Sequence, residues 1–269
     1  MVVQHNLTAM NANRQLGITA GNQAKATEKL SSGYRINRAG DDAAGLSISE
    51  KMRSQIRGLN KASSNAEDGV SLIQTAEGAL NEAHAILQRM NELSTQAAND
   101  TNTSADRTAI KKEIDALVSE LDRIASTTQF NTMNLLDGSF TGKNLQVGAL
   151  EGQVIAISIG SMNASTLGVN SLDVSSNSAA GTSMTAIQDA IEKVSSQRSS
   201  LGAIQNRLEH TIANLDTTSE NTQAAESRIR DTDMAAQMVD YSKNTILAQA
   251  GQSMLAQANQ ATQGVLSLL

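Results

Sequence analysis

The sequence predicts a mainly α-helical fold: an elongated antiparallel coiled-coil rod with a small β-hairpin region at its tip and paired N- and C-terminal helices. Two features of the composition support this fold class. The 269 residues include no Pro, and Pro is the residue that breaks a helix most strongly. Only Tyr34, Phe130, Phe140 and Tyr241 are aromatic. The core must therefore consist of aliphatic residues and alanine, which suit a thin helical bundle better than a thick globule.

Residues 1–39 show a weak amphipathic pattern without an acidic residue before Glu28. Asp41 and Asp42 then precede a long helical stretch, where carboxylates favour a helix N-terminus. Two series of apolar or small residues recur there every seven residues, which predicts coiled-coil packing with close approach of the helices. The first series is Met52, Leu59, Ala66, Ile73, Leu80 and Leu87, and the second is Ala62, Gly69, Ala76, Ala83, Met90 and Ala97.

Two further helical patterns follow. Thr103 and Asp106 resemble a capping box, which predicts a second helix at about residues 104–128. Its apolar positions are Ile110, Ile114, Leu117, Leu121 and Ile124. The pattern then returns at Ile187, Ile191, Val194, Leu201, Leu208, Ile212 and Leu215 and continues more weakly past Ile229. Because strong helical segments flank the middle of the chain, both termini are expected at one end of the rod.

Residues 129–181 differ in kind, since Gly and Asn become common there. Leu145 and Val147 alternate with polar residues, and so do the isoleucines of residues 155–159. A Gly-bounded turn at residues 148–152 separates these two runs. The pattern predicts a β-hairpin.

Residues 244–269 carry no charge but contain many Gln and Asn. Their apolar and small residues follow a three/four spacing that lines one side of a helix, while the amides make the segment too polar to span a bilayer. Such a helix needs protein neighbours. We therefore expect residues 1–40 and 232–269 to form a terminal coiled-coil domain that is disordered in the monomer and folds on association. Residues 41–231 are expected to form the helical rod.

The composition also excludes several classes of function. The net charge of −6 lacks the basic excess that binds phosphates, so no nucleic-acid partner is expected. The absence of cysteine excludes disulfides and thiol nucleophiles. His5, His84 and His210 lie far apart, and none begins a His-Glu-x-x-His motif. No metal, cofactor or enzymatic activity is therefore expected, and helix capping explains Asp41 and Asp42.

Three segments resemble bacterial flagellin. They read LSSGYRINRAGDDAAGLSISEKM at residues 30–52, NAEDGVSLIQTAEGALNE at 65–82 and QANQATQGVLSLL at 257–269. Thr262 and Gln237 depart from the family, in which Pro and Glu are common at these positions. The resemblance implies a self-assembling subunit of the extracellular flagellar filament, used for motility, with the terminal helices as an inner tube. It also implies type III export without a cleaved signal peptide, in agreement with an N-terminus that lacks a continuous apolar run.

The resemblance further implies a set of partners: other copies of the chain, a flagellar export chaperone, hook-associated and filament cap proteins, and host Toll-like receptor 5. LQRMNELSTQAAN at residues 87–99 resembles the motif of flagellins that this receptor recognises, with contact positions Arg89, Leu93 and Glu113. Met90 and Asn91 depart from the usual enterobacterial pattern. Arg89 and Leu93 share one helical face as an exposed pair. The spacing alone favours the alternative, in which Leu93 lies at the coiled-coil seam and Arg89 is a solvated charge, and the resemblance brings the two interpretations nearer to even.

Polymerisation is expected to involve apolar residues of both termini, packed through a head-to-tail interface that does not close. These residues are Leu7, Met10, Ile246, Met254, Leu255, Val265, Leu266, Leu268 and Leu269. Two alternatives remain open. A hook-filament junction protein would share the terminal architecture and assemble in few copies. A soluble coiled-coil adaptor would have terminal helices that are already folded in the free protein.

Overall fold

The computed structural model describes residues 6–266, and the side chains of residues 6–260. The elements in chain order are α1 Leu7–Ser32, α2 Ala43–Ala97, α3 Ser104–Thr127, β1 Gln129–Phe130, β2 Met133–Asn134, β3 Lys143–Gln146, β4 Val154–Ile157, α4 Ala164–Leu167, α5 Asn177–Arg230 and α6 Met234–Leu266. The mainly α-helical fold class is confirmed. The chain divides into a central unit, Arg57–Ser219, and a terminal unit that combines Met1–Ile56 with Glu220–Leu269.

Within the central unit, α2 and α5 pack antiparallel. The Ser219 hydroxyl donates to Asn60 Oδ1 at 2.6 Å, whereas Thr95 Oγ1 lies 3.9 Å from Met184 Sδ at the other end of the pair. The predicted coiled-coil packing is confirmed, since both series of seven-residue repeats are buried from Leu59 to Ala97. The same core takes in residues of α3, α5 and β4. Seven-residue spacing keeps one stripe of each long helix facing its partners over many turns.

The predicted helix after Thr103 is confirmed, together with its capping box. Asp106 donates its backbone N–H to Thr103 Oγ1 and accepts the backbone N–H of Thr103 in return. The Thr103 hydroxyl also donates to Asp106 Oδ2 at 2.7 Å, and this bond, more than the one from the Thr103 backbone N–H, holds the pKa of Asp106 below its ordinary value. The helix-capping interpretation also holds for Asp42, whose Oδ1 accepts from Gly45 N–H at 2.8 Å. Asp41 instead accepts the N–H groups of Asn37 and Arg38, in the segment before α2.

The predicted hairpin is confirmed as β3 and β4, which pair antiparallel with Lys143 opposite Ile157 and Gln146 opposite Val154. The period-two pattern buries Ile155 and Ile157 while Val154 stays exposed. A second hairpin, β1 and β2, was not predicted. Its two turn residues, Asn131 and Thr132, both have positive φ, 46° and 64°. Such turns usually carry Gly, and the absence of Gly hid this hairpin from sequence reasoning, which also missed the single turn of α4.

We expect Thr132→Gly to stabilise the central unit by up to about 1 kcal/mol, because a β-branched residue at positive φ is strained and Gly is not. The free energy of unfolding in urea measures the change. Thr128→Gly is the matched control, since Thr128 lies at φ −72° at the end of α3 and Gly should destabilise the protein there. A loss of stability with Thr132→Gly would show that the turn is not strained.

Within the terminal unit, α1 and α6 also pack antiparallel, so the predicted pairing of the N- and C-terminal helices is confirmed. Asn6 Nδ2 donates to Ala258 O at 2.8 Å, and Gln23 Nε2 donates to Thr245 Oγ1 at 3.2 Å. Asn6 caps the start of α1, and Gly33 ends it in the left-handed conformation, with φ 75°. The terminal unit thus consists largely of one antiparallel pair of helices, which come from the two ends of the sequence.

Candidate assembly surface

Large apolar side chains are exposed on both helices of the terminal pair. Leu7 is 66% exposed, Met10 65%, Ile246 65% and Met254 60%. Five further large apolar residues of these helices are exposed: Ile18, Met234, Met238, Val239 and Leu247. Single exposed apolar residues are common on proteins. Here, however, they concentrate on one pair of helices, which is typical of a surface that another protein covers.

The seam between α1 and α6 is built from smaller and more polar residues. On α1, the half-buried or buried positions include Ala9, Ala12, Leu16, Thr19, Gln23 and Ala26. On α6, they include Thr245, Ala248, Gly251, Leu255 and Ala258. Ala26 is the one buried residue of α1, and no residue of α6 is buried over the described positions 234–260. The pair therefore places small residues in its seam and most of its large aliphatic residues outside it.

Four of the six exposed large apolar residues described on α6 form two stripes. Val239 and Ile246 are seven residues apart, and so are Leu247 and Met254. Residues seven apart lie on nearly the same side of a helix, and the second stripe is rotated from the first by about 80°. On α1, Leu7, Met10 and Ile18 share a third side. Apolar surface thus extends around the pair, as a subunit with several neighbours requires.

The polymerisation residues predicted from sequence divide into three groups. Leu7, Met10, Ile246 and Met254 are exposed on the terminal pair. Leu255 is half-buried in the seam instead. The side chains of Val265 and Leu266, and the whole of Leu268 and Leu269, lie outside the described residues. Sequence reasoning missed the five further exposed residues of α1 and α6, although seven-residue spacing was a usable signal for two of them, Val239 relative to Ile246 and Leu247 relative to Met254.

The pair also carries a polar groove between its helices. Lys25 and Lys29 of α1 line it together with Lys243 and Asp240 of α6. No ion pair joins these lysines to a carboxylate among the described residues. The three lysines make this part of the surface basic.

A set of contacts that we call the linker clasp joins residues 33–35 to residues 229–232. Arg35 N–H donates to Arg230 O at 2.7 Å, and Thr232 N–H donates to Gly33 O at 3.0 Å. The Arg230 guanidinium lies 4.8 Å from the centroid of the Tyr34 ring, and its Nη1 donates to Glu50 Oε1 at 2.6 Å. The Arg230 side chain is only 13% exposed. The clasp thus ties the end of α1 to the start of α6.

The predicted receptor-contact residues do not form the expected exposed pair. Arg89 is half-exposed and donates to Glu113 Oε1 from Nη2 at 2.9 Å and from Nε at 3.1 Å. These bonds to Glu113, more than the one to Glu92, raise the pKa of Arg89. Leu93 is only 2% exposed, so the expectation that it is exposed was wrong. It packs in the central core with Met90 and Ala97, as the coiled-coil seam alternative required.

The two described histidines do not approach each other. His84 Nε2 lies 3.0 Å from Gln88 Nε2 on the same helix. In the register set by Asn60 and Ser219, His84 and His210 are separated by about 22 Å along the helices. His5 lies outside the described residues. Where the structure describes the chain, no three His, Asp or Glu side chains cluster as metal ligands, and none of the helices is both long and apolar enough to cross a membrane.

Two family models match the chain. The bacterial flagellin N-terminal helical region matches residues 3–141, and the bacterial flagellin C-terminal helical region matches residues 184–269. These two ranges hold α1, α2, α3 and α6, together with most of α5. The helices that build the candidate assembly surface therefore fall within the matched segments.

Similar proteins span the whole chain. A flagellin of Halalkalibacterium halodurans is 55% identical over 271 residues, covering 100% of both chains. The flagellar filament 31.3 kDa core protein of Treponema maltophilum is 52% identical over 285 residues, again with 100% of both chains covered. A flagellin of Bacillus subtilis is 50% identical over 303 residues, with the same coverage. The similarity thus includes both terminal helices and the segment between the long helices.

Solved structures also resemble the chain. The crystal structure of a Bacillus cereus flagellin aligns with a TM-score of 0.50 at 31% identity, covering 61% of this chain and 94% of that one. A putative flagellar hook-associated protein from Vibrio parahaemolyticus aligns with a TM-score of 0.59 at 13% identity, covering 71% of this chain and 100% of that one. The second likeness concerns the fold alone.

Proposed function

We propose an assembly mode for this chain, which belongs to the bacterial flagellin family and is a structural subunit, not an enzyme, of the extracellular flagellar filament. In this mode, the paired helices α1 and α6 pack through their outward apolar stripes against the pairs of neighbouring subunits. The resulting filament serves motility. The resemblance of the sequence to flagellin, now confirmed at the level of the family, is the premise of the proposal.

The proposal rests on one observation: in the terminal pair, small side chains lie in the seam between the helices and large aliphatic side chains lie outside it. A stable two-helix pair normally buries its largest aliphatic residues in its seam. Here the seam holds residues such as Ala248 and Gly251, while Ile246 and Met254 face away from it. Because exposed aliphatic surface is stabilised by removal from water, the pair gains most of its stability when neighbours cover it.

This arrangement supports three further parts of the proposal. Residues 1–40 and 232–269 act as the terminal domain that forms the inner tube, and residues 41–231 act as the rod domain. The terminal domain is disordered in the free monomer, because its seam buries too little apolar area to offset the entropy of ordering. Before assembly, an export chaperone covers the same apolar stripes. At the two ends of the filament, the hook-associated and cap proteins cover them.

Sedimentation and electron microscopy of the purified chain test the proposal, after salting-out or seeded polymerisation. The full chain should form filaments, whereas chains lacking residues 1–40 and 232–269, or only residues 265–269, should stay unpolymerised and keep their helical rod. In the unpolymerised full chain, a protease should cleave residues 1–39 first. Normal filaments from the shortened chains would contradict the proposal. Small closed oligomers from the full chain would favour the junction protein or the adaptor.

We also propose that the subunit is a ligand of Toll-like receptor 5, through a surface centred on Arg89 and Glu113. Both side chains are about half-exposed and fix each other in position, which presents an ordered guanidinium at the surface. Arginine is enriched among the residues that dominate binding energies at interfaces. The buried Leu93 supports Arg89 from below by fixing this part of α2 to the core.

We expect Arg89→Ala to weaken binding to the receptor ectodomain by about tenfold or more, as loss of a dominant interface residue does. Surface plasmon resonance on the unpolymerised subunit measures the affinity. Arg123→Ala is the matched control, because Arg123 makes a similarly exposed ion pair with Glu120 on α3. Equal affinities for the parent chain and Arg89→Ala would rule out this contact surface.

A further inference from the structure

The methionines of the chain are distributed unequally between its two units. All four methionines described in the terminal pair are exposed, namely Met10, Met234, Met238 and Met254. In the central unit, Met90 is fully buried, Met162 is 7% exposed and Met184 is half-buried, whereas Met133 is 41% exposed. The chain has 10 methionines and neither Cys nor Trp. Four of the five exposed methionines that the structure describes therefore lie on α1 and α6.

We infer that these four methionines form a peroxide-sensitive modification site that decides whether a free subunit can assemble. Oxidation to methionine sulfoxide blocks incorporation of the subunit, and incorporation in turn protects the methionines from oxidation. The inference rests on the proposed assembly surface. It adds a covalent modification, with hydrogen peroxide or an organic hydroperoxide as the reactant class.

The reaction is a two-electron oxidation of the thioether. A lone pair of the methionine sulfur attacks one peroxide oxygen, the S–O bond forms, and the O–O bond breaks. The departing oxygen takes up the proton that leaves the transferred oxygen, so hydrogen peroxide becomes water while the sulfur becomes a sulfoxide. Because the chain contains no thiol, no cysteine of the same molecule consumes the peroxide first.

The effect on assembly follows from the polarity of the product. A sulfoxide oxygen is a hydrogen-bond acceptor, and the apolar stripes offer it few donors. Met254 shares its stripe with Leu247, and Met10 lies beside Leu7 on α1. Burial of an unsatisfied polar group is costly, so we expect oxidised chains to need at least about a tenfold higher concentration to polymerise. The unpolymerised chain should keep its helical content, because these side chains face water in it.

The experiment treats the unpolymerised full chain with a limited dose of hydrogen peroxide, removes the peroxide with catalase and seeds polymerisation. Sedimentation then separates incorporated from free subunits, and peptide mass spectrometry quantifies sulfoxide at each methionine. Oxidation at the four positions should be strongly enriched in the supernatant. Filaments given the same dose should keep these four methionines reduced. Treatment with methionine sulfoxide reductases should restore assembly.

Two variants and two outcomes distinguish a failure of this inference from a failure of the proposed assembly surface. A chain with Met10→Leu, Met234→Leu, Met238→Leu and Met254→Leu keeps the apolar volume but has no thioether at these positions, so peroxide treatment should leave the concentration at which it polymerises unchanged, whereas the parent chain needs a higher one after treatment. Met133→Leu, at an exposed methionine of the central unit, should stay peroxide-sensitive. If untreated chains polymerise while sulfoxide at the four positions is equally frequent in pellet and supernatant, the inference fails alone. If the untreated chain polymerises equally well without its terminal segments, the proposed assembly surface fails.

Discussion

Replacing Ile246 by Asp will abolish filament formation without changing the helical content of the unpolymerised subunit. Ile246 faces water on the side of α6 opposite the seam, so a carboxylate there does not disturb the packing of α6 against α1. In the filament, the same carboxylate would be buried against apolar side chains without a cation. The concentration needed for polymerisation should therefore rise at least about a hundredfold, as the cost of burying an unpaired charge implies. Sedimentation over a range of concentrations measures it.

Leu150→Asp is the matched control for Ile246→Asp. Leu150 is 69% exposed, close to the exposure of Ile246, but it lies in the β3–β4 turn of the central unit. The same charge at this site should leave polymerisation largely unchanged. Met254→Asp, in the second stripe of α6, should reproduce the loss. Normal filaments from both α6 variants would show that the outward stripes do not carry assembly. An equal loss of polymerisation with Leu150→Asp would show that the outward stripes are not the main assembly surface.

The core of the central unit could be predicted from the sequence because coiled-coil packing is encoded locally. A seven-residue repeat keeps one stripe on the inside irrespective of what packs there, so residues such as Ile73 and Leu80 could be placed without knowing their partners. The β3–β4 hairpin was predictable for a similar reason, since a two-residue period and a Gly-bounded turn are both local signals. The β1–β2 turn could not be predicted, because the turn imposes the positive φ of Thr132 and the residue type Thr does not indicate such a conformation.

The terminal pair was predictable as a pair of helices but not in its orientation. The spacing of Ile246, Ala250 and Met254 marks one side of a helix correctly, yet it does not reveal whether that side faces the partner within the chain. In the structure, Gly251 and Leu255 occupy the seam and Ile246 lies outside it. Leu93 shows the converse case. Its four-residue spacing from Arg89 suggested exposure, whereas Leu93 lies beside the heptad series, three residues after Met90, and is buried in the central core.

Loss of Arg230 should loosen the linker clasp and weaken assembly. We expect Arg230→Ala to destabilise the clasp by about 1–3 kcal/mol, from the lost cation–π contact and the lost ion pair, in which Arg230 is largely buried and Glu50 is half-exposed. Glu50 retains a contact with Arg53 Nη1 at 3.4 Å, which keeps the cost toward the lower end. Since Arg35 N–H and Thr232 N–H both donate across the clasp, their hydrogen exchange should accelerate about tenfold or more.

Amide hydrogen exchange of the assembled filament, read out at Arg35 and Thr232, measures this loosening. Arg228→Ala is the matched control, because Arg228 lies in the same last turn of α5 but is exposed, and it should leave both amides protected. Arg230→Lys should give an intermediate result, since an ammonium keeps the charge toward Glu50 while it loses the planar stacking on Tyr34.

Because the clasp joins the end of α1 to the start of α6, a looser clasp lets the two helices move independently. The terminal pair then spends less time in the arrangement that a neighbouring subunit binds. The Arg230→Ala chain should therefore need a higher subunit concentration to polymerise. Unchanged exchange at both amides would show that the backbone hydrogen bonds hold the two linkers together without the guanidinium.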